Sequence, residues 1–310
     1  MHRIAILLIG LFCATVQAAE IGIIAFQMSS DTHARTANAA EQAARDLGHE
    51  ATVLNSAGAL PTHAEQLENL IQKPVDGIIL AMGKLQELEE QLILAEQRGI
   101  PVISVMSGTS PHVLFDVNVN EAEVGAKITQ HLLGLMNFQG NLLVQRYEGH
   151  GGTRMRGKIL DAVLSEYTGI EVLDSHSMAR SRSWREDVRA GMEALLLKHR
   201  GDIQGIWTSF DGQAFVIDDL LQQQGLAKGE VLLTGVDGGQ EVFARIRDPR
   251  SSMVATVAIP FELMGERAVR ALDRILQGAD SDEFTRGPFL YMDAVLVDSS
   301  NVPAEGEWPW

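Results

Sequence analysis

The sequence predicts an α/β protein built as two doubly wound, parallel-sheet (Rossmann-like) lobes, on three observations. Short β-branched runs alternate with longer stretches of helical period. The runs are apolar almost throughout rather than at every second residue, the pattern of parallel strands covered on both faces. About ten such strands are too many for one compact open sheet at this length, so they divide between two domains.

The N-terminus stands apart. His2 and Arg3 lead into an apolar run, Ile4 to Phe12, followed by small and polar residues through Val16, Gln17, Ala18 and Ala19. This is the layout of a secretory signal peptide over residues 1–19, cleaved after Ala18 or Ala19. The run is shorter than the roughly 20 apolar residues that a membrane span needs. Cys13, the only cysteine, lies inside it. Phe12 stands before it, where a lipid-attachment site requires a small residue. The expected mature protein is therefore periplasmic, soluble and free of cysteine chemistry.

Strand 21–26 feeds helix 31–47, which Gly48 ends, and strand 50–55 follows. Strands 77–82 (GIILAM) and 101–106 (PVISVM) flank helix 85–98, ended by Gly99. The chain continues as strand 113–118, helix 121–135, strand 141–146, helix 153–166, strand 171–177, helix 183–198 and strand 205–210. Helix 211–225 closes on Gly225; strands 230–236 and 253–259, helix 260–277 opened by Pro260, and strand 291–298 complete the series. There is no solenoid-spaced repeat and no low-complexity linker, so the domains are joined by short crossings rather than a tether.

Composition and motifs exclude several classes of function. With 25 basic and 41 acidic residues the formal charge is −16, and loss of the leader with Arg3 makes it one unit more negative. Such an excess argues against nucleic acid or an anionic membrane as partner. The glycine-rich stretch EGHGGTRMRG lacks the lysine and hydroxyl residue of a P-loop and the spacing of a dinucleotide fingerprint. The histidines, His150 and His176 included, show no metal-ligand spacing. No Gly-x-Ser-x-Gly elbow or other catalytic constellation is present. No enzyme activity, cofactor or metal is expected.

Doubly wound sheets bind ligands beyond the carboxyl ends of their strands. That rule selects Phe26 to His33, Met106 to Thr109, Tyr147 to Arg156, Phe210-Asp211-Gly212 and Val236-Asp237-Gly238. Aromatic residues make up only 5% of the chain, which makes Phe26 and Phe210 at two strand ends informative, either as pocket faces or as core.

The ordered set of these segments resembles the type 1 periplasmic sugar-binding family, of which the ribose-binding protein is the familiar member. IGIIAFQMSSDTHARTANAAEQAARDLGHE is similar to its opening strand, pocket loop and first helix; VDGIILAM and RGIPVISV to its third and fourth strands. VNVNEAEVGAKI resembles the passage into the second domain, and GTRMRGKILDAV the arginine-bearing helix start. IQGIWTSFDGQAFVIDDLLQQQG and VLLTGVDGGQEVFARIRD resemble the two aspartate-bearing turns, and MVATVAIPFELMGERAVRAL the return segment and last helix of the first domain.

The resemblance implies two lobes joined by three crossings near 118–121, 256–260 and 283–288. The first lobe would be 20–119 plus 257–282, the second 120–256 plus 283–310. A sugar or sugar-like solute would sit between them and be buried by hinge closure. The partner would be a membrane permease of an ABC importer or, alternatively, a signalling receptor, with the binding protein a monomer.

Carried over residue by residue, Arg156 matches the ligand-binding arginine; otherwise it is a surface arginine at a helix start. Asp237 matches a hydroxyl-binding aspartate; otherwise it is a turn residue. Asp211 follows Phe210 at a helix start, where capping that helix and meeting ligand are compatible, and Trp184 lies where the family carries an aromatic near the cleft. The first loop supplies Ser30, Asp31, Thr32 and His33. Thr32 and His33 replace a usual aromatic pair, Met106 and Ser107 replace an aspartate–arginine pair, and Ile259 replaces a hydrogen-bonding side chain. The departures imply a smaller polyol, a modified sugar or a different small metabolite.

Overall fold

The computed structural model describes residues 18–181, 183–226 and 228–310. The leader expected over residues 1–19 lies, but for its last two residues, outside them. In chain order the strands and helices are β1 (Glu20–Ala25), α1 (Asp31–Asp46), β2 (Glu50–Asn55), α2 (Leu60–Gln72), β3 (Gly77–Ala81), α3 (Glu89–Gln97), β4 (Val102–Val105), β5 (Asp116–Val119), α4 (Glu121–Leu135), β6 (Gly140–Arg146), α5 (Gly151–Leu164), β7 (Ile170–Ser177), α6 (Trp184–Lys198), β8 (Gly205–Thr208), α7 (Asp211–Gln223), β9 (Leu232–Asp237), α8 (Gln240–Arg247), β10 (Met253–Ala258), α9 (Phe261–Leu276), β11 (Phe289–Met292) and β12 (Val295–Asp298). Gly48, Gly99 and Gly225 have φ of 81°, 70° and 74° after their helices, a left-handed conformation that a side chain disfavours.

The strands form two sheets of six, in the orders β2-β1-β3-β4-β5-β11 and β7-β6-β8-β9-β10-β12. All pairings are parallel except that of β12 with β10, so the second sheet carries an antiparallel edge. In each sheet the chain starts near one edge and reverses direction between its first and third strands (β1/β3 and β6/β8). That reversal opens a crevice at the carboxyl ends of the strands. β3, β4 and β8 are buried along their whole length, as their continuous apolar sequences require.

The chain passes between sheets at Val119–Glu121, Ala258–Phe261 and Met292–Val295. Two of the expected boundaries need correction. β10 stays in the second sheet to Ala258, where it pairs with Asp237, so the return falls after that residue rather than before 257. The run 291–298, expected as one strand of the second lobe, is split. Phe289–Met292 pairs with Asp116–Val119 in the first sheet, and Val295–Asp298 pairs with β10 in the second. The third crossing is therefore at Asp293 and Ala294, not at 283–288. The physical reason is that β5 and β10 each offer an open edge there, and one short run on either side of a turn satisfies both.

On the first sheet, α1 and α9 pack face to face. α1 buries Ala37, Ala40, Ala43 and Ala44, and α9 buries Met264, Gly265, Ala268 and Leu272. Small residues on both sides let the backbones approach closely. A Cβ at Gly265 would lie 2.3 Å from the carbonyl oxygen of Thr36, which is backbone and cannot swing aside. Gly265→Ala is accordingly expected to destabilise the fold by about 1–3 kcal/mol, the cost of overpacking. A urea titration reads this as a lower midpoint at unchanged slope, and an unchanged midpoint would refute the close approach.

Candidate binding cleft

Between the two sheets lies a cavity of about 840 Å³, walled by the segments that follow β1, β3, β4, β6, β8 and β9. Of the residues expected to meet ligand, Phe26, Ser30, Asp31, Thr32, His33, Met106, Arg156, Trp184, Phe210, Asp211 and Asp237 line it. Ser107 does not. Its hydroxyl donates toward the carbonyls of Val105 (2.9 Å) and Leu80 (3.1 Å) and accepts from the Gly83 amide at 2.7 Å. Its own amide donates to Asp116. With its polar atoms committed to the sheet ends, Ser107 shapes the turn and leaves the cavity wall to Met106.

Arg156 is the central polar group on the second lobe and is 2% exposed. It enters from the first turns of α5, and its Nε and Nη2 donate to the two carboxylate oxygens of Glu121, at 2.6 and 2.9 Å. Nη1 donates to the Ser209 carbonyl at 2.9 Å and lies 3.7 Å from Asp237 Oδ1. The planar fork is thereby fixed in place. Of its five N–H groups, two remain for a ligand.

The two aspartates differ in how they are used. Phe210, not Asp211, is the N-cap residue of α7, so Asp211 caps nothing. Instead its carboxylate accepts from the Gly238 amide (2.8 Å) and the Thr256 hydroxyl (2.9 Å), tying the two turns together. Gly235 permits this, since a Cβ there would fall 2.1 Å from Asp211 Oδ1. Among the described residues the Asp237 side chain has no hydrogen bond of this kind; Arg156 at 3.7 Å is its charged neighbour. Burial pushes Asp211 up to about 7 and Asp237 well above the ordinary carboxylate range, each opposed by Arg156.

The first lobe contributes a different chemistry. Phe26 is flanked by His63 at 5.3 Å between ring centroids, by His33 at 6.4 Å and by the Lys84 ammonium at 5.3 Å. Burial holds His33 and His150 down to about 3 and His63 to about 4, with Lys84 adding to each shift. All three imidazoles are neutral at pH 7. His33 Nδ1 and His63 Nε2 are buried without a hydrogen-bond partner among the described residues.

Several lining residues were not picked out from the sequence. Lys84 follows β3 and sits at a strand carboxyl end, where the same rule that found Phe26 reaches it. Tyr147 and His150 lie inside the segment that the strand-end rule selects, although nothing in the histidine spacing marks His150. Its Nδ1 accepts from the Gly152 amide, and its Nε2 meets the Met106 carbonyl at 3.3 Å, across the two lobes. Arg35 is a second bridge. It is held by Glu262 (2.6 and 3.0 Å), donates to the Gly238 carbonyl, and stacks on Phe261 and on Trp308 from the C-terminal tail. No sequence signal marks Trp308, because only the third crossing brings it back to the cleft. Among the described residues no group of His, Cys, Asp and Glu has the arrangement of a metal site.

Comparison with known proteins gives a concordant picture. Residues 21–280 match the model of the periplasmic binding protein domain. The chain is 25% identical to the xylitol-binding protein of Mycolicibacterium smegmatis over 92% of its own length and 79% of that protein. It is also 25% identical to the ribose import binding protein RbsB of Bacillus subtilis, over 77% of this chain and 75% of that one. The structure of an ABC sugar transporter subunit from Rhodobacter sphaeroides superposes with a TM-score of 0.80 at 25% identity, covering 93% of this chain and all of that one.

Proposed function

The chain belongs to the periplasmic binding protein family, and from that membership we propose that it is the solute-binding component of an ABC importer, closing two lobes on a sugar or polyol in the periplasm. The observation that carries this reading is the cavity between the carboxyl ends of the two sheets. It combines aromatic faces from both lobes with a fixed arginine that keeps two free N–H groups beside a carboxylate with no other hydrogen bond. Rings such as Phe26, Phe210 and Trp184 suit the apolar CH faces of a polyhydroxy solute. Arg156 and Asp237 suit its hydroxyls, through charge-assisted hydrogen bonds in a buried setting. The import role is favoured over a sensor role by relatives whose names describe import and transport.

The mechanism is hinge closure. Ligand bound on one lobe recruits the other, and the closed form gains the contacts that bridge the lobes, His150 to Met106 and Arg35 to Gly238. The closed form would then dock on a membrane permease. The test is a thermal-shift screen of the purified protein against pentoses, hexoses and polyols. A ligand at 100 times its Kd adds about 2.7 kcal/mol to stability, a clear rise in midpoint. A well-folded protein that responds to none of them would overturn the reading.

A further inference from the structure

We propose that the solute taken by this cleft is a polyhydroxy compound carrying an anionic group, a carboxylate or phosphate, held between Lys84 of the first lobe and Arg180 of the second. The inference rests on the binding-protein reading and names the ligand class within it.

The charges lining the cavity are unevenly matched. Every carboxylate there already has a protein partner: Asp31 and Glu262 have Arg35, Asp211 has Gly238 and Thr256, Asp237 has Arg156, and Glu241 has Arg245. Among the described residues, Lys84, Arg180 and Arg185 line the same cavity and form no ion pair with any carboxylate. Arg185 is occupied by its stacking over Trp184 at 4.3 Å. The Lys84 ammonium lies 5.3 Å from the centroid of the Phe26 ring, a contact that leaves its charge unbalanced, and Arg180, which is exposed, has no ion pair among the described residues.

The environment of Lys84 shows the consequence. Its ammonium is lowered to about 8, first by burial and then by the cations Arg180 and Arg154. A lysine desolvated among like charges with no counter-ion is costly to hold in place. The cost is incurred where the lobes meet, so unmatched charge opposes closure until an anion lies between them. The surrounding groups favour the same ligand. Tyr147, beside Arg180 and Arg154, is pushed up by burial and keeps its phenol proton as a donor. His33, which lines the cavity and is held neutral by burial, adds polarity there without adding charge. A basic surface does not account for these cations, because the protein as a whole carries −16.

Calorimetry on matched pairs tests the proposal: ribose with ribose 5-phosphate, glucose with glucuronate, and xylitol with xylonate. The anionic member of at least one pair is expected to bind at least ten times more tightly than its neutral counterpart. That ratio is expected to collapse in both Lys84→Met and Arg180→Met and to shrink as sodium chloride is raised. The phosphate and carboxylate pairs tell which group is held. Neither substitution breaks an ion pair among the described residues, and Lys84→Met keeps an apolar chain against Phe26, so a urea titration should show both variants folded. If neutral members bind as tightly as anionic ones, this proposal fails and the binding-protein reading stands. If no member of any pair binds, both fail. A preference that survives both substitutions overturns the assignment to Lys84 and Arg180.

Discussion

Replacing Arg156 with methionine is expected to reduce ligand affinity at least a hundredfold and to lower the unfolding free energy by about 3–5 kcal/mol. The two losses have different origins. Affinity falls because the two N–H groups facing the cavity disappear, along with the positive charge that balances Asp237. Stability falls because Glu121 is left as a buried carboxylate without its bidentate partner, and the Ser209 carbonyl loses a donor. Glu121 opens α4 at the first crossing, and Gly125 on that helix packs against the Arg156 backbone, so the pair pins two helix starts next to the hinge. A second substitution separates the effects. In Arg156→Met with Glu121→Gln the stranded charge is gone, so urea unfolding should recover most of the lost stability while calorimetry still detects no binding. Parent-like affinity in either variant would show that Arg156 serves the fold alone.

The fold was legible wherever a local pattern determines it. Short, β-branched runs such as Gly77–Ala81 and Gly205–Thr208 are read as buried strands by their length and flanks, and the capping glycines bounded the helices between them. Connectivity at the hinge was not legible. Residues 291–298 read as one strand, and nothing local says that Asp293 and Ala294 carry the chain from one sheet to the other. α8 is only eight residues long, too short to make helical period visible, and α2 (Leu60–Gln72), with Pro61 in its first turn, went unread although it is long enough. Helix 85–98 resolves into a single 3-10 turn (Leu85–Glu87) and α3, with a break at Leu88.

At the site, position was easier to read than purpose. The strand-end rule brought Phe26, Met106, Phe210 and Asp237 to one cavity, since it depends only on topology. What each polar group does there depends on neighbours distant in sequence. Ser107 was misread because its hydroxyl is taken by the Leu80 and Val105 carbonyls. Asp211 lines the cavity as expected of its place in the sheet, but it does not cap α7, and the partners it has instead, Gly238 and Thr256, lie 27 and 45 residues away. Arg35 and Trp308 escaped notice altogether, being joined only when the tail returns across the cleft.

Asp237→Gly is expected to move stability and binding in opposite directions. Asp237 has φ of 136°, in a region that residues with a Cβ avoid and glycine does not. Its carboxylate is buried beside Asp211, and burial raises it well above the usual range. Glycine relieves both at the cost of a more flexible unfolded chain, roughly 0.5–1 kcal/mol. Strain of this kind is worth about 1–3 kcal/mol, so the variant should be the more stable protein. The advantage should also depend on pH. In the parent, the unfolded chain ionises Asp237 as pH rises above about 4, while burial shifts the native group's ionisation to higher pH. The native state then binds more protons than the unfolded one, and the parent loses stability as pH rises toward the native value. The glycine variant lacks this loss, so its lead should be larger at pH 8 than at pH 4.5 in parallel urea titrations. Ligand affinity, in contrast, should fall about thirtyfold or more, because the acceptor beside Arg156 is gone. A variant less stable than the parent at pH 8 would mean that the turn needs the aspartate for its own sake. A more stable variant that no longer holds ligand would mean that strain and a buried charge are retained at Asp237 for binding.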